Sequence, residues 1–264
     1  LNSSQVISFI WLEVLKRINQ KFFLDHGFFL IGNLIDNFTH EVFDYLCSKK
    51  LKKLKFNKLI VFSGSSEKSL SVAKIVKAKS FLIRGSAHIL SVKKILESES
   101  KKHNVTIQLP HKHLIRRELN EYKITDKIIV HSKFAFKSFV KEGTSKNKVS
   151  VLPLGVDKVL KSNFFKKKKS HKQILYLGQV SIRKGVHHLL KIFSQLNLTD
   201  VTLVIAGPAQ KEMANILKKY EANKNIKILG RVGHGEKINL FKSANIFCLP
   251  TLEDGFAKVL LEAA

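Results

Sequence analysis

Cysteine is nearly absent: Cys47 and Cys248 are the only two in 264 residues, and each sits in an apolar segment. A disulfide framework is thereby excluded, and two buried free thiols in a reducing compartment are expected. Neither thiol has neighbours at a metal-ligand spacing. The eleven histidines are scattered; the pair His111 and His113 lacks partners at a zinc-site spacing. No metal and no cofactor are expected on these grounds. Long apolar runs are missing too, since none reaches the roughly 18 residues needed to span a bilayer. The stretch FFLDHGFFLIGNLI (22–35) is interrupted by Asp25, His26 and Gly32, so it reads as buried core. Residues 1–20 do not resemble a signal peptide, and the chain reads as cut at both ends. Arginine is scarce: six of the 47 basic residues, leaving 41 lysines against 20 acidic residues and a formal net charge of +27. So few arginines suit base reading poorly, because the bidentate guanidinium dominates there. A diffuse lysine surface suits polyanions or anionic lipid headgroups, and an AT-rich coding bias yields the same composition.

What is present is a core and a rhythm. A hydrophobic content of 44% in a chain of this length supports two ordinary domains. Short apolar runs fall at 58–64, 80–86, 127–132 and 149–155, then at 173–179, 202–208, 226–232 and 245–251. Several end in Gly, Ser or Pro, and amphipathic helical stretches mostly separate them. Apolar strands alternating with helices predict parallel sheets buried on both faces, an α/β fold. The lysine-rich stretch DKVLKSNFFKKKKSHK (157–172) falls where a second strand–helix series begins and reads as an interdomain linker. The expected domains are therefore 1–168 and 169–264.

In such folds ligands bind beyond the carboxyl ends of strands, near helix N-termini. Two loops stand out by that criterion. After the first strand of the second series comes GQVSIRKGVHHLLKIF (178–193), where Gly178 ends the strand, Arg183 and Lys184 occupy the loop, and Gly185 opens a helix. Backbone N–H groups, a helix dipole and a cation there suit a phosphate, although the P-loop pattern is absent. After the fourth strand comes PTLEDGFAKVLLEAA (250–264), with Asp254 and Glu262 eight positions apart. A helix from residue 255 would separate these two acids by roughly 12 Å, further than paired glycosidase carboxylates stand. They would touch different parts of one long ligand. On the residues alone, Asp254 reads first as a helix cap, His88 as a loop histidine bonded to backbone, and Glu262 as an idle surface acid.

The ordered set of segments resembles the retaining glycosyltransferases of family 4. PTLEDGFAKVLLEAA resembles that family's acidic-x7-acidic motif, and YLGQVSIRKGVHHLL its donor-phosphate loop. TLVIAGP and LGRVGHGEKINLFKSANIFCLPT match the sequence between those motifs in order and spacing. LIRGSAHI (82–89), RRELNEYKITDKIIVHSKFAFKSFVKEG (116–143) and VSVLPLGVD (149–157) resemble the acceptor-side domain. The resemblance runs from about residue 58 to the end. It implies two Rossmann-like domains facing across a cleft, the GT-B arrangement, with a truncated C-terminal domain and a nucleotide-sugar donor held mainly by that domain. Lys184 would contact the donor diphosphate, beside Gly178, Gln179 and Arg183. Glu262 would hold the ribose, and Arg231 and Val232 would line the base pocket. Asp254 would lie near the transferred sugar, with the amides of Gly255, Phe256 and Ala257 facing sugar and phosphate. His88 matches a position that faces the reacting sugar, across from Lys184 and Asp254.

The implied activity is hexosyl transfer with retention to a glycan, lipid-linked glycan or lipid acceptor, in the cytoplasm or peripherally at the membrane's cytoplasmic face. The chain departs from the family at several places: Asp254 replaces the commoner Glu, Gln179 stands where many members carry arginine, and PLGVD replaces Pro-Asn-Gly-Val-Asp. Two other classes fit parts of the sequence. A non-catalytic basic protein would bind nucleic acid or another polyanion, but no nucleic-acid module or aromatic-basic platform is present, so no specific nucleic acid is expected. A degenerate relative would bind a nucleotide sugar without transferring it.

Overall fold

The computed structural model describes residues 9–24, 28–155 and 172–264. Packing divides the chain into two compact units, Leu1–Lys93 with Gln108–Leu152, and Lys94–Ile107 with Pro153–Ala264. The boundary expected at 168–169, and all but the last residue of the lysine-rich stretch 157–172, lie outside the described residues.

The first unit begins with helices α1 (Ile10–Asn19) and α2 (Phe29–Leu51), joined by a wider helical turn at Gln20–Leu24. Strands β1 (Lys58–Phe62), β2 (Lys79–Arg84), β3 (Lys127–Val130) and β4 (Val149–Val151) then form one sheet in the order β1-β2-β3-β4, every pair parallel. Helices α3 (Glu67–Ile75), α4 (Ile89–His103), α5 (Lys112–Ile124) and α6 (Lys133–Lys141) connect them, and from Lys94 onward α4 belongs to the second unit. Local chemistry starts two of these helices: the Ser132 hydroxyl accepts from the Ala135 amide at 3.1 Å and the His111 ring from the Leu114 amide at 3.2 Å. The core is Leu70, Leu82, Ile89, Tyr122, Ile128, Val130, Ala135, Phe139 and Val149.

One expectation fails here. The stretch 22–35 is not core: Phe22, Phe28, Leu30, Ile31 and Leu34 are all exposed, Leu30 by 78%. The reason is the stripe on which α2 packs. Its buried residues are Gly32, Thr39, Asp44 and Ser48, small or polar. Gly32 lets α1 approach closely, and its carbonyl accepts from the Asn19 side chain at 2.8 Å. Asp44 accepts from the Lys68 and Ser69 amides at 2.6 and 2.9 Å, docking α2 onto the first turn of α3. With those contacts fixed, the large apolar side chains of α2 face outward.

The loop after β1 is held by buried charge. Arg117 donates to the Gly64 carbonyl at 3.0 Å, and the Glu121 carboxylate accepts from the Gly64 and Ser66 amides, both at 2.7 Å. Burial outweighs these bonds and raises the Glu121 pKa from 4.5 to about 7. The folded state therefore binds a proton that the unfolded chain has already lost between those two values. Stability from this group is fully present below pH 4.5 and is lost as pH rises through 7, by on the order of 3 kcal/mol at most. The melting temperature should fall from pH 5 to pH 8, and Glu121→Gln should flatten that slope while lowering the plateau. Parallel slopes in the two proteins would refute the assignment.

The second unit holds β5 (Lys172–Leu177), β6 (Val201–Ala206), β7 (Ile226–Gly230) and β8 (Ile246–Phe247), in the order β7-β6-β5-β8, again all parallel. Helices α7 (Val186–Gln195), α8 (Ala214–Lys218), α9 (His234–Ser243) and α10 (Lys258–Ala263) follow the strands. Strand β6 lies inside the sheet with all six residues buried, as its sequence, apolar except for Thr202, requires. The eight strands fall where the apolar runs predict them. No described helix is long and apolar enough to cross a membrane.

Candidate functional site

Strand order places the ends of β5 and β8 side by side, so the loops after them meet. Contact is close at Gly185, which has φ +71° and lies against the Pro250 backbone; a Cβ there would stand 1.9 Å from the Pro250 carbonyl oxygen. The Leu252 amide donates to the Arg183 carbonyl at 3.0 Å, and the Thr251 hydroxyl bonds the Glu253 carbonyl at 3.1 Å. On the other side of β5, the Gly178 carbonyl packs against Gly207, while Val180 and Gln210 bond the neighbouring loop at 2.9 Å. Among the described residues, three strand-end loops are thus knitted into one floor.

Two adjacent cations meet two adjacent acids across this junction. The Lys184 ammonium pairs with an Asp254 carboxylate oxygen, both side chains being mostly buried. The Arg183 Nε lies 2.8 Å from a carboxylate oxygen of fully buried Glu253. The Lys184–Asp254 pair, removed from most of the solvent, fixes geometry more reliably than an exposed one, whereas the Arg183 side chain is 40% exposed. Asp254 also turns back on its own backbone, accepting from the Phe256 amide at 3.2 Å. The buried Tyr176 hydroxyl donates to the Gln179 carbonyl at 2.7 Å, and burial, then the Asp254 carboxylate, raise its pKa so that it stays a donor.

The structure brings together Gly178, Gln179, Arg183 and Lys184 with Asp254, Gly255, Phe256 and Ala257 around these strand ends. The helix expected from residue 255 begins only at Lys258, so Gly255 and Phe256 stand in a loop and the Phe256 amide is already engaged. The rise of roughly 12 Å assumed for a continuous helix between Asp254 and Glu262 therefore does not apply. Glu262 lies on α10, where its carboxylate pairs with Lys237 of α9 at 2.5 Å. Arg231 is exposed after β7, and Val232 is half-buried beside it.

His88 belongs to the first unit. It is 3% exposed, packed between Tyr122 and Phe139 at 5.0 and 4.9 Å between ring centroids, and its Nδ1 accepts from the Leu90 amide at 3.3 Å. Nearby Arg84 pairs with buried Glu118 at 3.1 Å. Two participants carry no assigned role on the sequence alone. Glu253 sits beside Asp254 there, and only its adjacency to a second acid, mirroring that of Arg183 to Lys184, hints at its ion pair. Lys237 gave no signal, since its partner lies on another helix.

Residues 158–264 match the family model described as glycosyl transferases group 1. Over 227 residues the chain is 26% identical to an uncharacterized 41.2 kDa protein in the cps region of Klebsiella pneumoniae, covering 81% of this chain and 60% of that protein. A 96-residue segment is 29% identical to glycogen synthase of Mycobacterium tuberculosis, 35% of this chain and 23% of the other. Among solved structures, Anabaena HepE in complex with UDP and glucose superposes with a TM-score of 0.54 at 16% identity, over 83% of this chain and 59% of that one. The lipopolysaccharide outer core galactosyltransferase WaaB does so with a TM-score of 0.56 at 16% identity, over 86% and 58%. The chain thus spans about 60% of the length of these longer relatives. Its fold is the α/β GT-B type of two Rossmann-like units, and residues 158–264 carry the group 1 glycosyltransferase sequence pattern.

Proposed function

We propose that this chain is the greater part of a retaining glycosyltransferase of family 4, and that its second unit holds the nucleotide-sugar donor. The observation that carries the reading is the pairing of Lys184 with Asp254 where the β5 and β8 loops meet. When a nucleotide sugar reacts, negative charge builds on the departing diphosphate, and a fixed cation there stabilises the transition state. Lys184 supplies that cation. Before the donor arrives, Asp254 neutralises Lys184 and holds it in the cleft of the loops; a diphosphate then competes for the ammonium. Asp254, released in part, orients the sugar through hydrogen bonds. Retention requires no protein nucleophile in this scheme, because the acceptor oxygen attacks from the face the diphosphate leaves.

Glu262 accepts the ribose hydroxyls, and Lys237 positions its carboxylate. Arg231 and Val232 line the base side. His88 is assigned to the sugar-facing end of the first unit, with its ring held by Tyr122 and Phe139. The acceptor is a glycan, a lipid-linked glycan or a lipid. Donor hydrolysis and transfer, assayed with a panel of nucleotide sugars, test the whole reading; donor binding without turnover would leave a degenerate relative. Glu262→Ala should weaken donor binding about 10-fold or more with little change in turnover of bound donor. Lys237→Ala should reproduce part of that loss, and an unchanged KM in both variants would remove Glu262 from the ribose.

Peripheral association with an anionic membrane face, from the cytoplasmic side, belongs to the same proposal. The outward apolar side chains of α1, the turn after it and α2, including Trp11, Phe22 and Leu30, accompany a net charge of +27. Lysines gain about 1 kcal/mol each near anionic headgroups. Vesicle sedimentation should show salt-reversible binding to anionic but not neutral lipid; equal binding to both would dismiss the electrostatic part.

A further inference from the structure

Four side chains of the second unit, outside the loops described above, converge on one point. Glu99 and His103 lie one turn apart near the end of α4, so they share a face. His187 and His188 occupy the first turn of α7, their ring centroids 3.9 Å apart. One carboxylate oxygen of Glu99 is 3.2 Å from His103 Nε2, 3.2 Å from His187 Nε2 and 3.3 Å from His188 Nε2. All four donor atoms fit within 4.8 Å of one another.

We propose that Glu99, His103, His187 and His188 form a site for a tetrahedrally coordinated divalent cation of the zinc class. Zinc bonds to nitrogen and oxygen of about 2.0–2.1 Å define a tetrahedron with edges of about 3.3 Å. The three separations from the Glu99 oxygen match those edges, and the other donor separations are no longer than 4.8 Å. Hydrogen bonding alone accounts for the cluster less well. It would direct three N–H donors at a single carboxylate oxygen, which has two lone pairs. Only His187 has hydrogen-bond geometry toward Glu99 at 3.2 Å, and His103 Nε2 is buried without a hydrogen-bond partner. Three imidazoles and one carboxylate are a borderline donor set, suited to zinc rather than to calcium or magnesium.

The burial also fits. His187 is 4% exposed and Glu99 13%, while His103 and His188 are 27% and 29% exposed, leaving an entry path. His187 Nδ1 has no hydrogen-bond partner, so the outer support that usually fixes a metal-bound imidazole is missing at this ligand. That places the affinity about 10- to 100-fold below that of a fully supported centre. Four protein ligands leave no open coordination position, so the role is structural. The ion would pin the start of α7 to the end of α4. Since Gly185 precedes α7 directly, the anchored turn lies two residues from Lys184.

The test is zinc titration of the full chain against a chromophoric chelator, with metal content read by mass spectrometry and thermal melting measured with and without zinc. The expected result is one zinc per chain and a zinc-dependent rise in melting temperature. His103→Ala/His188→Ala should lower affinity at least about 100-fold, beyond the loss typical of an outer-shell change. Should that variant melt early without metal, His188→Ala alone, at a partly exposed position, should still lower affinity at least about 10-fold. His111→Ala/His113→Ala should bind as the parent does. Cobalt substitution should give the intense visible bands of tetrahedral coordination. Failure to bind stoichiometric zinc, affinity unchanged in the His103/His188 and His188 variants, or an octahedral cobalt spectrum would each overturn the site.

Discussion

Lys184→Ala should lower glycosyl transfer about 10²–10³-fold in turnover, the loss expected when one preorganised group facing a developing charge is removed. The structure adds a second consequence. Asp254 is mostly buried beside Lys184, so truncating the lysine leaves a carboxylate without its cation. Donor diphosphate would then meet a negative charge where it needs a positive one, and KM should rise along with the fall in kcat. Lys184→Arg should restore part of the turnover, since it keeps the charge but changes its shape and reach. Asp254 separates the electrostatic role from the positional one. Asp254→Asn keeps the side-chain acceptor for the Phe256 amide and should retain more activity than Asp254→Ala. Equal activity in the two Asp254 variants would count against orientation by hydrogen bonds, and a sugar trapped covalently on Asp254 would overturn the assignment. Full turnover in Lys184→Ala would remove the central cation from the mechanism.

Gly185→Ala should be, with Gly207→Ala, among the most damaging changes in the second unit that touch no charge. The left-handed backbone at φ +71° costs an alanine about 1–2 kcal/mol, and the added carbon would stand 1.9 Å from the Pro250 carbonyl oxygen. A flexible side chain could swing away from such a contact, but here the obstacle is backbone. Relief requires separating the β5 and β8 loops, which adds about 1–3 kcal/mol of overpacking. The sum is a large share of the 5–15 kcal/mol that stabilises an ordinary domain. Gly230→Ala is the matched control, because φ is +70° there with nothing within 4 Å of the added carbon. Chemical denaturation should show a much larger drop in midpoint for Gly185→Ala than for Gly230→Ala, together with lost donor binding. Equal drops would mean that backbone conformation alone, and not the junction with Pro250, sets the requirement for glycine.

The two loops were legible in the sequence because their signals are local. A glycine ends β5, a cation pair follows, a glycine opens α7, and an acid follows β8; each feature needs only a few neighbouring residues. The Lys184–Asp254 pair adds one inference, that consecutive loops of a parallel sheet gather at the same edge. Glu253 was less visible, since burial of a charge beside Arg183 cannot be read from spacing. The start of α10 at Lys258 was misplaced because Asp254 uses the Phe256 amide for a turn, a local competitor that helical periodicity does not weigh.

By itself, the sequence determined the α/β class and, among the described residues, the eight strands and their parallel pairing, because short apolar, β-branched runs alternating with helices leave few alternatives. Burial on both faces holds for β6 but not for β1, where Ile60 and Phe62 are exposed. The sequence also singled out the glycine-punctuated strand ends, where the proposed donor diphosphate is held. Only the tertiary structure decided which charges face each other over long separations: Lys237 with Glu262, Arg183 with Glu253, and Glu99 with three histidines from two helices. It decided, too, that the apolar residues of α2 point outward, because Gly32 and Asp44 had already claimed the packing face. Periodicity tells a helix which residues share a side. Which side is buried depends on the element that arrives to cover it.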